Sequence, residues 1–167
     1  GPPRRKGCGR NPAGGAATLA LESARGVDTT GSISAGDILL SGAAVTIRGG
    51  TAAADDATLS SSGAININAD FIAGDDVTVL QASALNFGAK LTASDLAISN
   101  TGNATFSGNV TLGGSAVLAL TGDLTTAAEF AVANSFDVST VRDVSFGGLV
   151  SSTMVSVGSA SARMITV

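Results

Sequence analysis

Five aspartates, Asp55, Asp56, Asp75, Asp76 and Asp95, are the side chains in this 167-residue chain whose type and spacing could do chemistry. Asp76 follows Asp56 by 20 residues, and Asp95 follows Asp76 by 19. If the chain folds with a period of that length, these three stack at one corner, and Ser115 comes next. Stacked carboxylates repel one another unless a cation sits among them. One reading is therefore a Ca²⁺ site or an acid–base carboxylate cluster formed by Asp56, Asp76 and Asp95. The competing reading is a turn, since Asp caps backbone amides and tolerates turn dihedrals. The turn reading takes precedence. The Ca²⁺-binding nonapeptide Gly-Gly-x-Gly-x-Asp is absent, so no cofactor is assigned and Ca²⁺ is kept as the alternative.

A second group with chemical potential is basic. Arg4, Arg5, Lys6 and Arg10 fall in the Pro- and Gly-rich opening GPPRRKGCGRNPAGG. Residues 1–15 read as a flexible arm or a remnant of protease cleavage; the alternative is that Arg4, Arg5, Lys6 and Arg10 contact a polyanion such as heparan sulfate or nucleic acid. The arm holds four of the nine basic residues, which leaves five against thirteen acidic ones in the rest. That balance argues against nucleic-acid binding by residues 16–167. Arg25-Gly26-Val27-Asp28 is not an Arg-Gly-Asp tripeptide, because Val27 intervenes.

Positioning any of these residues requires a repeat, and the apolar residues provide one. A ladder runs through Leu21, Leu40, Leu59, Val79, Ile98, Leu118, Val138 and Val157 in steps of 19 or 20 residues. Each member has a partner two residues earlier, from Leu19 and Ile38 to Phe136 and Val155. A second ladder runs Val45, Ile65, Leu85, Ala104, Leu124, Val144 and Met164, paired with Ile47, Ile67, Phe87, Phe106, Thr126, Phe146 and Thr166. A third, looser one runs Ile33, Ala52, Ile72, Leu91, Val110, Phe130 and Val150. Pairs at i and i+2 are the period of a strand, not of a helix. A constant step of this size identifies a solenoid whose coils bury their inner faces only by stacking.

The expected fold is thus all-β: a single-stranded parallel β-helix with three short strands per coil of 19–20 residues and about seven coils. Residues 16–167 form the repeat domain. At about 4.8 Å per coil, seven steps make a rod of roughly 34 Å. The first coil, Leu19 to Leu40, is expected to fray in part. Thr46, Asn66, Asn86, Thr105, Thr125 and Ser145 should point outward, Phe87 should stack on Phe106, and Thr126 should cause an irregularity near Thr125–Glu129. Composition agrees. Only 13% of residues are charged, and a charge repeated in every coil would face its own copy one strand away. Cys8 is the sole cysteine, so no internal disulfide is possible. No apolar run is long enough to span a bilayer, so membrane insertion is not expected. The chain opens without a signal peptide and closes without a capping helix, which reads as a segment of a longer protein.

The repeat length, the Gly-Asp and Asn-rich turns, and segments such as Gly36-Asp37-Ile38-Leu39-Leu40 and Gly74-Asp75-Asp76-Val77-Thr78-Val79 resemble the filamentous haemagglutinin family of bacterial secreted adhesins, over about Leu19 to Val157. The resemblance implies a right-handed β-helical shaft, secreted or displayed at the bacterial cell surface. Host-cell glycans or protein receptors, and adjoining repeats of the same protein, would be its partners. The expected function is a non-catalytic structural or adhesive shaft segment that mediates or supports attachment to host cells or surfaces. The alternative is a carbohydrate-active β-helix enzyme, like polysaccharide lyases and hydrolases, using Asp56, Asp76 and Asp95. Against it, the chain has no His, Tyr or Trp, and a glycosidase needs a paired acid and base at fixed separation. An ice-binding solenoid would need a regular outward Thr array, which the mixed column lacks.

Overall fold

Strands of three to five residues bury too little to be stable alone, so each pairs with its counterpart one coil away. The computed structural model describes residues 17–140, 142–159 and 165–166. These form a helix-free β-solenoid of about seven turns, with every strand parallel to its neighbours. The first face begins with Leu19–Ser23, Ile38–Gly42 and Ala57–Ser61 and ends with Ser135–Thr140 and Met154–Ser159. The second includes Val27–Thr29, Val45–Ile47, Ala64–Ile67, Leu124–Thr126 and Val144–Phe146. The third runs from Ile33–Ala35 through Phe71–Ala73 to Val150–Ser151. Val77–Phe87 and Leu96–Phe106 each run unbroken through the corner and serve the first and second faces together.

Leu21, Leu40, Leu59, Val79, Ile98, Leu118, Val138 and Val157 lie opposite one another in register along the first face. The first coil is paired to the second over all five residues from Leu19 to Ser23, not frayed as expected. On the second face, Val27 opposes Val45 and adds a coil to the start of that column. Its far end departs from expectation. Ile165 lies opposite Val144 and Thr166 opposite Ser145, a longer step than the 20 residues that placed Met164 there and Thr166 beside Phe146. Met164 itself is outside the described residues.

The third column needs a larger correction. Thr51 and Phe71 point inward, and Ala52 and Ile72 outward, with Ile72 47% exposed. The run Phe71-Ile72-Ala73 carries apolar residues at both parities. The inward choice buries the ring of Phe71, which removes more apolar surface from water than Ile72 would.

The core is aliphatic in the early coils and aromatic later. All six phenylalanines of the chain are buried and form one series of ring contacts. Phe87 stacks on Phe106 with centroids 5.4 Å apart and planes 5° from parallel. Phe130 from the third face and Phe136 from the first carry the series on to Phe146. Rings from the neighbouring faces thus continue it past the coil in which the second column holds Thr126.

Thr126 is 1% exposed, and its Oγ1 has no hydrogen-bond partner. The register through Leu124–Thr126 is nevertheless regular, so the irregularity expected near Thr125–Glu129 does not occur. The register slips elsewhere, between Val79 and Gln81 and between Ile98 and Thr101, where the long strands turn the corner. Asn100 there takes the left-handed conformation, φ 46°, which Asn tolerates better than most residues.

An unpartnered buried hydroxyl costs about 1–3 kcal/mol. Thr126→Val, which keeps the branched shape and fills the site with a methyl, is therefore expected to raise stability by about 1 kcal/mol or more. The urea midpoint followed by far-UV circular dichroism checks this. A lower midpoint would mean that the hydroxyl has a partner.

Candidate functional site

The corner leading into the first face collects the acidic residues. Before the five first-face strands that start at Ile38, Ala57, Val77, Leu96 and Ala116, the position is occupied in turn by Asp37, Asp56, Asp76, Asp95 and Ser115. The backbone shows the stacking: the N–H groups of Ile38, Ala57, Val77 and Leu96 donate to the carbonyls of Asp56, Asp76, Asp95 and Ser115 at 2.8–3.0 Å. Asp56, Asp76 and Asp95 therefore share one column, and Asp37 is a member that sequence reasoning missed. Asp55 and Asp75 occupy the adjoining column, with the Asp75 N–H donating to the Asp55 carbonyl at 3.0 Å.

Most of these carboxylates have a structural task. The carbonyls of Asp76 and Ser115, each just before a strand, accept from the strand of the previous coil, but their N–H groups meet no backbone carbonyl. The carboxylate one coil back supplies the acceptor. Asp56 Oδ1 accepts from Asp76 N at 3.1 Å, and the Asp95 carboxylate accepts from Ser115 N. Thr18 Oγ1 donates to Asp37 Oδ2 at 3.0 Å. The other two corners use the same device. Asp70 Oδ1 accepts from Lys90 N at 3.2 Å, Asn103 Oδ1 from Asp123 N at 2.9 Å, and Asp123 Oδ1 from Asp143 N at 3.1 Å. Asp70 and Asp123 carried a readable signal, an Asp immediately before the first inward residue of a strand, and Asn103 stands in the same place before Ala104, the first residue of the second-face segment. Attention to the acidic cluster alone passed over it.

Asp76 differs from its neighbours. Its Oδ1 is covered and has no hydrogen-bond partner. Loss of solvent raises its pKa above the ordinary carboxylate range, and the charges of Asp75, Asp95 and Asp56 push the same way, against the backbone N–H of Asp95. Asp76 is thus the member of the column at which covering and neighbouring charge together act against ionisation.

Among the described residues, no group of three or more His, Cys, Asp or Glu side chains is arranged to hold a metal ion. The basic residues Arg4, Arg5, Lys6 and Arg10 lie outside the described residues. Elsewhere, Arg48 forks onto Asp28 one coil away, with Nε–Oδ1 3.1 Å and Nη2–Oδ2 3.2 Å. Both side chains are more than half exposed, so the pair contributes little. On the second face, Asn86 Nδ2 donates to Asn66 Oδ1 at 2.8 Å, tying the outward column of adjacent coils together. No protein family, curated protein or solved structure matches the chain.

These roles separate two substitutions. Asp95→Ala removes the acceptor of the Ser115 N–H and is expected to lower stability by about 1 kcal/mol. Asp76→Asn should do the opposite at neutral pH. The folded Asp76 holds its proton more tightly than the unfolded chain does. Its contribution to stability is therefore fully present below the ordinary carboxylate pKa and lost as pH rises through the raised value. The difference in urea midpoint between Asp76→Asn and wild type should grow in favour of the variant as pH rises from roughly 4 to 7. A difference that shrinks with rising pH would contradict the assignment.

Proposed function

We propose that the chain is a non-catalytic shaft segment of a large bacterial secreted or surface-exposed protein, which supports attachment to host cells or surfaces. The observation that carries this reading is the continuity of the first-face column, in register from Leu21 to Val157. Coils stacked without interruption make a stiff element whose length scales with repeat number, and each coil needs only its neighbours for stability. Such an element suits holding a binding region at a distance. Its partners would be adjoining repeats of the same protein and a host-cell glycan or protein receptor.

The alternative, a β-helix enzyme using Asp56, Asp76 and Asp95, draws less support. Two of its three carboxylates accept backbone N–H groups of the next coil, which explains their presence without catalysis. The likeness to filamentous haemagglutinin repeats rests on the sequence segments quoted above.

Incubation of the folded protein with a panel of acidic polysaccharides is expected to release no unsaturated or reducing-end product. In parallel, binding to cultured epithelial cells should be unchanged in the Asp56→Asn and Asp95→Asn variants. Turnover that disappears in either variant would replace the shaft reading with the enzyme.

A further inference from the structure

At two places the chain carries an asparagine followed two residues later by a threonine, with no proline between: Asn103-Ala104-Thr105 and Asn109-Val110-Thr111. Asn-x-Thr is the pattern read by transferases that attach a sugar to a carboxamide nitrogen. The fold treats the two copies differently.

Asn103-Ala104-Thr105 lies inside the unbroken strand Leu96–Phe106. All three residues pair with the coil before, and Ala104 and Thr105 also with the coil after. The Asn103 carboxamide is engaged. Its Oδ1 accepts from the Asp123 N–H at 2.9 Å, and it lies so close to Gly122 that a Cβ there would run into it. Thr105 is half-buried.

Asn109-Val110-Thr111 starts at the corner between the second and third faces. Asn109 follows the bend at Gly108 and stands immediately before the strand Val110–Leu112. Its backbone is fixed, because its carbonyl accepts from Leu91 N at 3.0 Å. Its side chain is not. Among the described residues, no hydrogen bond reaches the Asn109 carboxamide. Asp70 in the same corner column gives its oxygen to the Lys90 N–H, but Asn109 gives none to Glu129. Asn109 and its column neighbours Lys90 and Glu129 are exposed, so the carboxamide stands on a ridge open to a large partner. Val110 is turned into the core, 1% exposed, and Thr111 is outward and exposed. The alternation of a strand therefore puts Asn109 and the Thr111 hydroxyl on one side, with Val110 as the anchor between them.

We infer that Asn109 is a sugar-acceptor site of the folded protein and that Asn103 is not. The partner is a transferase holding a sugar activated at C1 as a phosphate ester. Asn109 Nδ2 forms a bond to C1. The C1–O bond to phosphate breaks, the phosphate leaves with the electron pair, and one Nδ2 proton passes to a base of the transferase. Such an enzyme has to draw the carboxamide into its own site. Asn109 gives up no hydrogen bond in doing so. Asn103 would leave the Asp123 N–H without its acceptor, which lowers its modification about tenfold at the net worth of one hydrogen bond.

The inference goes beyond the shaft reading and does not rest on it. The acceptor is a property of one corner, and the coils keep their register with or without a sugar there.

The donor has two possible sources, and the test uses both. The folded protein is incubated with a soluble transferase that reads Asn-x-Thr and UDP-glucose, and separately with an oligosaccharyltransferase and a lipid-linked oligosaccharide. Peptide mass spectrometry then locates the sugar. The expected result is modification at Asn109 by at least one of the two, with Asn103 modified about tenfold less. Short peptides spanning 99–107 and 105–113, in which neither carboxamide is held, should be modified alike. Thr111→Val should abolish the sugar at Asn109 while circular dichroism stays unchanged, and Thr111→Ser, which keeps the hydroxyl, should retain it. No sugar at Asn109 with either donor, equal modification of Asn103 and Asn109 in the folded protein, or modification indifferent to Thr111→Val would each overturn the proposal.

Discussion

Each coil of this protein is held by the coil beside it. Strands of three residues, such as Val45–Ile47 or Leu91–Ala93, have no stable existence apart from the parallel ladders on either side. Those ladders form only while the columns stay in phase. The register therefore matters more than any single contact, and it accounts for the composition. Inward positions take aliphatic residues and phenylalanine, outward positions take Ser, Thr, Asn and Ala, and charge is rare because every repeated charge would sit one strand from its copy. Shape is restricted at the corners too. At one of them Gly31, Gly49, Ala69, Ala89, Gly108, Ala128 and Gly148 follow one another, and a Cβ on Gly49, Gly108 or Gly148 would run into the backbone of the coil before it.

The same geometry explains where the aspartates are. Faces satisfy their own backbone groups, and many corner N–H groups meet a carbonyl of the neighbouring coil, but those of Asp76, Lys90, Ser115, Asp123 and Asp143 meet a side-chain oxygen instead. A short side chain with an acceptor oxygen, placed one coil earlier, completes the bond. Asp56, Asp70, Asp95, Asn103 and Asp123 do this at three different corners. The cost appears where the device is used in consecutive coils. Asp76 stands between Asp56 and Asp95, beside Asp75, and is left with a covered oxygen and a raised pKa. Within the acidic column, Asp56 and Asp95 close hydrogen bonds between successive turns.

How far the fold was legible depended on strand length and parity. The first two ladders could be read because their paired apolar residues flank a polar or small one, as in Val77-Thr78-Val79 and Leu85-Asn86-Phe87. The third failed at Thr51-Ala52-Ala53 and Phe71-Ile72-Ala73, where apolar neighbours leave both parities open and only the burial of Phe71 decides. Thr126 pointed to a disturbance that did not come, because rings from the other two faces continue the aromatic series past its coil. The stacking of Asp56, Asp76 and Asp95 followed from spacing alone. Their task did not, since the unsatisfied N–H they serve belongs to the backbone of another coil.

The central claim is the register, and the most direct measurement of it is a set of amide-to-amide and amide-to-α-proton NOEs on the ¹⁵N,¹³C-labelled protein. The account predicts that Val79 connects to Leu59 on one side and to Ile98 on the other, and that Leu85 connects to Ile65 and Ala104, as parallel neighbours. Contacts from Val79 to residues at any other separation, or a run of sequential i, i+3 contacts through Val77–Phe87, would contradict it.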